Sequence, residues 1–322
     1  MALALLSGPR NLAAQDVETV GARALGMGGA FVAVANDSSA TWWNPAGLAA
    51  GPFVDVALAG GGFEASDRVV PARGGTWAFS LGTPPFGLSY YRFRVSDAGR
   101  SPIGQDRADR QETGEGIPVR ALSVSQFGVT ILHTLVDGVH IGSTVKYVRG
   151  TSRSAILAEG SADDALDAAD DLDGGETEGL VDLDIGALAV GGGLRAGLLV
   201  RNVREPEFGG RRLPRQVRVG AAYDGDAAGL PPFVIALDAD IRRYDAGWGE
   251  RRVVALGAEH WLRPRRFAVR GGGRVNTAGD GGGVVTAGAS VAPRAGFFVD
   301  GHVAFGTDEA EQGWSVAARV SF

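Results

Sequence analysis

The last ten residues, 313–322, read GWSVAARVSF. Trp314, Val316, Ala318, Val320 and Phe322 fall on one side of an extended chain, and Ser315, Ala317, Arg319 and Ser321 on the other, because successive strand side chains point to opposite faces. The same period sets Phe233, Ile235, Leu237, Ala239 and Ile241 against Val234, Ala236, Asp238, Asp240 and Arg242. It also sets Val217, Val219, Ala221 and Tyr223 against Arg218, Gly220, Ala222 and Asp224. Alternation of this kind marks strands with two different environments.

Working back from the C-terminus with the turn signals, the pattern predicts fourteen strands. They lie near 53–64, 74–83, 86–95, 119–134, 139–150, 180–190, 194–203, 215–224, 232–242, 251–262, 266–275, 282–292, 295–305 and 313–322. The connections alternate in length. Short ones centre on Pro84 and Pro85, on Asp137 and Gly138, and on 191–193, 224–231, 263–265 and 293–294. Longer ones fall between them at 65–73, 96–118, 151–179, 204–214, 243–250, 276–281 and 306–312. An even number of strands of about ten residues, with short turns at one end and loops at the other, is the pattern of a bacterial transmembrane barrel. A soluble β-sandwich or solenoid is the alternative, and has no reason to keep that rhythm. The two longest loops, 96–118 and the acidic 151–179, read as solvated surface.

Composition agrees. Glycine supplies 51 of 322 residues and proline only 14. No G-X-Y period appears, which excludes collagen. Glycine spread through apolar segments argues against helices, since each interior helix glycine costs about 1 kcal/mol relative to alanine. The net charge of −6 offers no footprint for nucleic acid. The absence of cysteine excludes disulfides and thiolate metal sites. No run approaches the roughly 18 apolar residues of a membrane helix, so a membrane protein of this composition must span as a closed barrel.

Residues 1–15, MALALLSGPRNLAAQ, are expected to be the remnant of a secretory signal cleaved near Ala14 or Gln15. Its apolar run is short and its basic head missing, as after a truncated or misplaced start. The organisation expected is thus a signal remnant at 1–15, a plug at 16–52 inside the lumen, and a barrel at 53–322. With the apolar face toward lipid, the polar face lines the lumen. It carries Lys146, Asp182, Asp184, Arg195, Arg201, Arg218, Asp238, Asp240, Arg242, Glu259, Arg270, Arg274, Asp300, His302 and Arg319. Mixed signs suit pairing with each other or with a plug better than selection of one ion.

The segment 21–49 reads GARALGMGGAFVAVANDSSATWWNPAGLA. Gly26, Gly28 and Gly29 are similar to a phosphate-binding turn only superficially, because the strand, helix and acidic residue of a dinucleotide site are missing. Together with Met27 they instead suit close backbone packing in a crowded lumen. Asn44 before Pro45 predicts a capped short turn through Ala46, Gly47 and Leu48, with Trp42 and Trp43 wedged against the wall. Hydrophobic-ligand contact is the functional alternative for the two tryptophans. Neither a G-x-S-x-G elbow nor an H-E-x-x-H pair occurs. His302 beside Asp300 is the nearest approach to a hydrolase, and no cofactor or metal is expected.

This segment resembles the N-terminal signature of the PorV/PorQ family in the FadL-like outer-membrane superfamily. LGTPPFGLSYYRFR (81–94), VHIGSTVKY (139–147), LDIGALAVGGGLRAGLLVRN (183–202), NVREPEFGGRRLPRQVRVGAAY (202–223) and ALGAEHW (255–261) are similar to it too. The resemblance implies a fourteen-stranded, plugged barrel in the outer membrane, ending in an aromatic residue, here Phe322. It implies passage of hydrophobic small molecules, as in FadL-like relatives. As an alternative it implies docking of exported proteins by their C-terminal domains in type IX secretion, as in PorV-like ones. The partners expected are outer-membrane lipid and one of those two cargoes.

Overall fold

The computed structural model describes residues 20–65, 71–98, 116–158, 160–208, 211–245, 250–262, 266–279, 281–307 and 312–322. The expected signal remnant, 1–15, lies outside them.

Fourteen antiparallel strands close into a barrel. They are β1 (Asp55–Ala65), β2 (Ala72–Thr83), β3 (Phe86–Ala98), β4 (Ile117–Val136), β5 (Val139–Leu157), β6 (Glu176–Gly191) and β7 (Leu194–Arg201), then β10 (Gln216–Asp224), β11 (Phe233–Asp240), β14 (Val253–Leu262), β15 (Phe267–Asn276), β16 (Gly283–Arg294), β17 (Phe297–Gly306) and β18 (Gly313–Ser321). Two small hairpins, β8 (Glu207–Phe208) with β9 (Arg211–Arg212) and β12 (Tyr244–Asp245) with β13 (Glu250–Arg251), lie in the loops after β7 and β11. The barrel closes where β1 pairs with β18, from Asp55 opposite Ser321 to Gly62 opposite Trp314.

Period two decides what each face meets. Leu58, Phe127, Ile131, Val145, Leu256 and Val316 point outward and are exposed, an apolar surface far larger than water tolerates on a monomer. The other face of the barrel strands turns Asp55, Lys146, Asp238, Glu259 and Asp300 inward, where they are buried. Short turns gather at the end that also carries Asp55 and Phe322, called here the turn end; longer connections gather at the loop end.

Two loop expectations change. β3 and β4 reach Ala98 and Ile117, so the 96–118 loop is shorter than expected, and its residues 99–115 lie outside those described. The stretch 151–179 is largely exposed, as expected, but it is not a loop throughout. β5 continues to Leu157, β6 starts at Glu176, and helix α3 (Ala162–Asp170) stands between them. Ser161 caps α3 in a reciprocal box with Asp164. Ala165, Leu166 and Ala169 pack it on Ala98 and Val119, on the outer side of the wall. Arg73 holds Asp167 and Asp170 at 2.8 and 3.2 Å, and Arg94 holds Asp170 at 3.3 Å. Strands that outrun the apolar band are polar on both faces there, which hides their alternation.

Candidate functional site

The segment before β1 runs inside the barrel. From Val20 to Leu48 only Gly21, Arg23, Asn36 and Ser39 escape full burial. It forms helix α1 (Ala22–Gly26), a four-residue helical turn α2 (Ala40–Trp43) and a 3-10 turn over Pro45–Ala50. Asn44 closes that turn through its side chain, which accepts from Ala46 N at 3.1 Å. Its Nδ2 donates to Val32 O at 2.8 Å and to Ala187 O of β6 at 2.9 Å.

Inward-facing glycines make the room. A Cβ on Gly186 would stand 2.1 Å from Asn44 Oδ1, and one on Gly257 2.2 Å from Met27 O. A Cβ on Gly142, Gly197 and Gly272 would meet Pro45, Val32 and Met27 at 2.5, 2.6 and 2.4 Å. On the segment itself Gly28 (φ 69°) lies against the backbone of Gly273, Gly26 against Gly288, and Gly47 against Ala35 O, while Gly29 has φ 82°. Backbone thus packs on backbone around most of the wall.

Polar groups hold the segment in place. Asp238 Oδ2 accepts from Phe31 N and Val32 N, both at 2.8 Å, and Asp55 Oδ1 accepts from Ser38 N at 2.8 Å. Arg23 grips Glu259 through Nε (2.9 Å) and Nη2 (2.8 Å) and reaches Asp37 at 3.0 Å. The chain of charge continues through Glu259 to Arg270 (2.6 Å), Asp300 (3.4 Å), Arg319 (3.5 Å) and Asp55 (3.3 Å). Burial opposes ionisation of Asp37, but Arg23 and Arg319 beside it outweigh burial and hold its carboxyl below the ordinary value. Arg23, Asp37 and Asp55 were not singled out in the sequence, although Arg23 and Asp37 are conspicuous charges in an apolar segment.

The other expected lining residues fall into separate groups. Arg218 pairs Asp240 at 2.7 Å, and Arg195 pairs Asp224 at 2.7 Å near the turn end. Arg274 is buried on β15. Arg242 is a correction: β11 ends at Asp240, whose carboxylate takes Arg218 and Val253 N, and Arg242 is exposed beyond the strand. No relay forms around His302. Its Nδ1 lies 2.7 Å from Ser315 Oγ, while Asp300 is engaged by Ser290, Arg270 and Arg319.

Lys146 Nζ sits between Asp184 (2.8 Å), Asp182 (3.3 Å) and Asn202 Oδ1 (2.7 Å). Asp184 and Asp182 also accept from Asn202 N and Arg204 N. The group therefore fixes the base of the loop carrying β8 and β9, where Asn202 (φ 53°) and Glu205 (φ 52°) adopt left-handed conformations. That loop folds inward. Phe208 lies where a Cβ on Gly150 would be, 2.4 Å from the ring, and joins one apolar cluster with Tyr91, Phe93, Leu122, Val124, Val148 and Leu213. Trp42 belongs to the same cluster, 5.0 Å from Tyr91 and 5.1 Å from Phe93, and the Arg201 guanidinium stacks on it at 3.9 Å. Trp43 is buried beside Phe31 and donates from Nε1 to Val20 O at 2.8 Å.

No family model and no curated sequence matches the chain. Solved structures do. The CymD monoaromatic hydrocarbon channel has a TM-score of 0.66 at 13% identity, over 95% of this chain and 98% of that one. The Ralstonia pickettii toluene transporter TbuX has a TM-score of 0.67 at 13% identity, over 95% and 99%. The P. putida toluene transporter TodX has 0.61 at 14%, over 95% and 99%. The chain shares the barrel fold of these channels. At these identities the likeness is one of architecture, spanning nearly the full length of each chain.

Proposed function

We propose that the chain is an integral protein of a bacterial outer membrane that passes hydrophobic small molecules, with residues 16–52 as a plug and 53–322 as the barrel. One observation carries this reading. At the loop end of the β1–β18 seam an open hollow of about 600 Å³ is lined by inward-facing Gly61, Phe63 and Gly313 and by outward-facing Val303, Phe305 and Trp314. Pairing of β1 with β18 ends at Gly62 and Trp314 while β1 stays paired with β2 to Ala65, so β1 outruns its seam partner at this end. An apolar molecule entering the barrel at that hollow, where β1 outruns β18, would leave hydrocarbon without first entering water, which favours hydrophobic cargo. The hydrocarbon channels of the same fold support the reading. The turn end then faces the periplasm.

The likeness of residues 21–49 supports the PorV/PorQ branch of the superfamily. Docking of exported protein C-terminal domains, the other role that likeness implies, gains nothing from 151–179, since α3 is folded onto the wall. Titration of the purified protein with alkylbenzenes or fatty acids should give saturable tryptophan quenching. A flat titration, with exported proteins co-purifying from the native host, would reverse the choice between the two roles.

A further inference from the structure

The outer face of β2–β5 is layered in register. One row across the four strands is Leu81, Leu88, Val129 and Val145. The next row toward the loop end is Phe79, Tyr90, Phe127 and Tyr147, and the one beyond it is Trp77, Arg92, Ser125 and Arg149. Aliphatic side chains thus give way to aromatic ones and then to two arginines, the order met on leaving hydrocarbon for a headgroup layer. Outward arginines are confined to this sector. Nearer the loop end β2, β3 and β5 also turn out Arg73, Arg94 and Arg153, while the other barrel strands turn no lysine or arginine outward short of their end residues. Arg73 and Arg94 are held by Asp167 and Asp170 of α3, and Arg153 donates to Gly174 O at 2.7 Å. Arg92 and Arg149 are exposed, and neither forms an ion pair or a hydrogen bond among the described residues. Ser125 stands between them, its Oγ 3.4 Å from Tyr90 Oη. Neighbouring strands lie about 4.8 Å apart, so the two arginines start about 10 Å apart and can close on one oxyanion above that pair of hydroxyls.

Resting on the outer-membrane placement proposed above, we propose that Arg92 and Arg149 bind a phosphate monoester on the headgroup of an outer-leaflet lipid, whose acyl chains lie along the aromatic and aliphatic rows. The loop end faces away from the periplasm, so the leaflet beside these rows is the outer one. Phosphate fits the donors present: guanidinium forks match its oxygens in charge and geometry, and the Ser125 and Tyr90 hydroxyls add neutral donors at the same level. The chains fit the surface below. Phe127 and Tyr147 are 50% and 51% exposed and offer a lipid tail a broad apolar wall directly under the arginines. A zwitterionic or uncharged headgroup would leave the two cations with no net charge to oppose them.

Native mass spectrometry of the full chain released from detergent, with a bisphosphorylated glucosamine-disaccharide lipid added, counts the lipid that stays bound. The wild type should hold this lipid about tenfold more tightly than the same lipid stripped of its phosphates. It should also hold it more tightly than phosphatidylglycerol, whose phosphate is a diester of lower charge. The double variant Arg92→Gln, Arg149→Gln should lose the preference, and Arg294→Gln, at the turn end, should keep it. Equal affinity of the wild type for the phosphorylated and stripped lipids overturns the inference, as does equal affinity for phosphatidylglycerol or a preference that survives the double variant. None of these results touches the placement in the outer membrane. Recovery of the native chain outside the outer-membrane fraction of its host removes that placement and this inference with it. The wild-type comparison needs no variant, and heat-dependent migration in electrophoresis reports that each variant is folded.

Discussion

Gly186→Ala is the sharpest probe of how the lumen is filled. The new Cβ would stand 2.1 Å from Asn44 Oδ1, 2.8 Å from Pro45 Cδ and 3.0 Å from Pro45 N. Neither side yields easily, because Gly186 is paired with β5 and β7 and Asn44 is held by three hydrogen bonds. The outcome is displacement of Asn44 with loss of its bonds to Val32 O and Ala187 O. Overpacking a filled interior costs about 1–3 kcal/mol, and each buried group left unpaired costs a further amount of about 1–3 kcal/mol. Partial relaxation brings the expected total to about 3 kcal/mol, which is a change of about a hundredfold in the ratio of detached to docked segment. Conductance in planar bilayers measures that ratio as the fraction of time the barrel is open. Gly301→Ala is the control: it also puts alanine into a barrel strand, but nothing lies within 4 Å of its Cβ. If the two variants open equally often, the segment is not held by backbone contact with inward glycines and the reasoning fails.

Two further outcomes follow from the same contacts. The carboxyl of Asp37 is held below its ordinary value of 3.8, so its contribution is complete above that value and is lost as pH falls through the lower folded one; the rise in open time on acidification should lie below about pH 4, and an acid rise centred near neutrality would exclude Asp37 as its cause. Leu166→Ala removes a fully buried side chain from beneath α3, at a cost of about 2–5 kcal/mol, more than a nine-residue helix holds without tertiary support; limited proteolysis should then cut within 158–175 while the barrel keeps its heat-dependent migration, and an uncut loop would show that α3 does not depend on this packing.

Strand positions were legible because each strand carries its own record. Trp314, Val316, Ala318 and Val320 against Ser315, Ala317 and Arg319 report two environments from ten residues of chain, whatever lies elsewhere. That record fades where the environments become alike. Ser152, Arg153 and Ser154 are polar on both faces at the end of β5, and the strand was expected to stop before them. Ser161 and Asp164 ahead of Ala165 and Leu166 did announce a capped helix, a signal masked by the acidity of its surroundings. Arg242 continued the alternation of β11 on paper, but its strand ends when the Asp240 carboxylate binds the next strand's backbone.

Local periodicity and the rhythm of short and long connections thus determined, from the sequence by itself, an all-antiparallel barrel of fourteen strands and most of its inward charged residues, Arg242 and Asp55 excepted. Which of those residues meet was a tertiary decision. Arg23 and Glu259 are 236 positions apart, and Phe31 and Asp238 are 207 apart. No local pattern relates such pairs, because their approach depends on the register at which the barrel closes and on the path of the segment inside it. The same holds for glycine. Its abundance was plain from composition, but the task of Gly186 or Gly257 exists only once another stretch of backbone arrives within van der Waals contact of it.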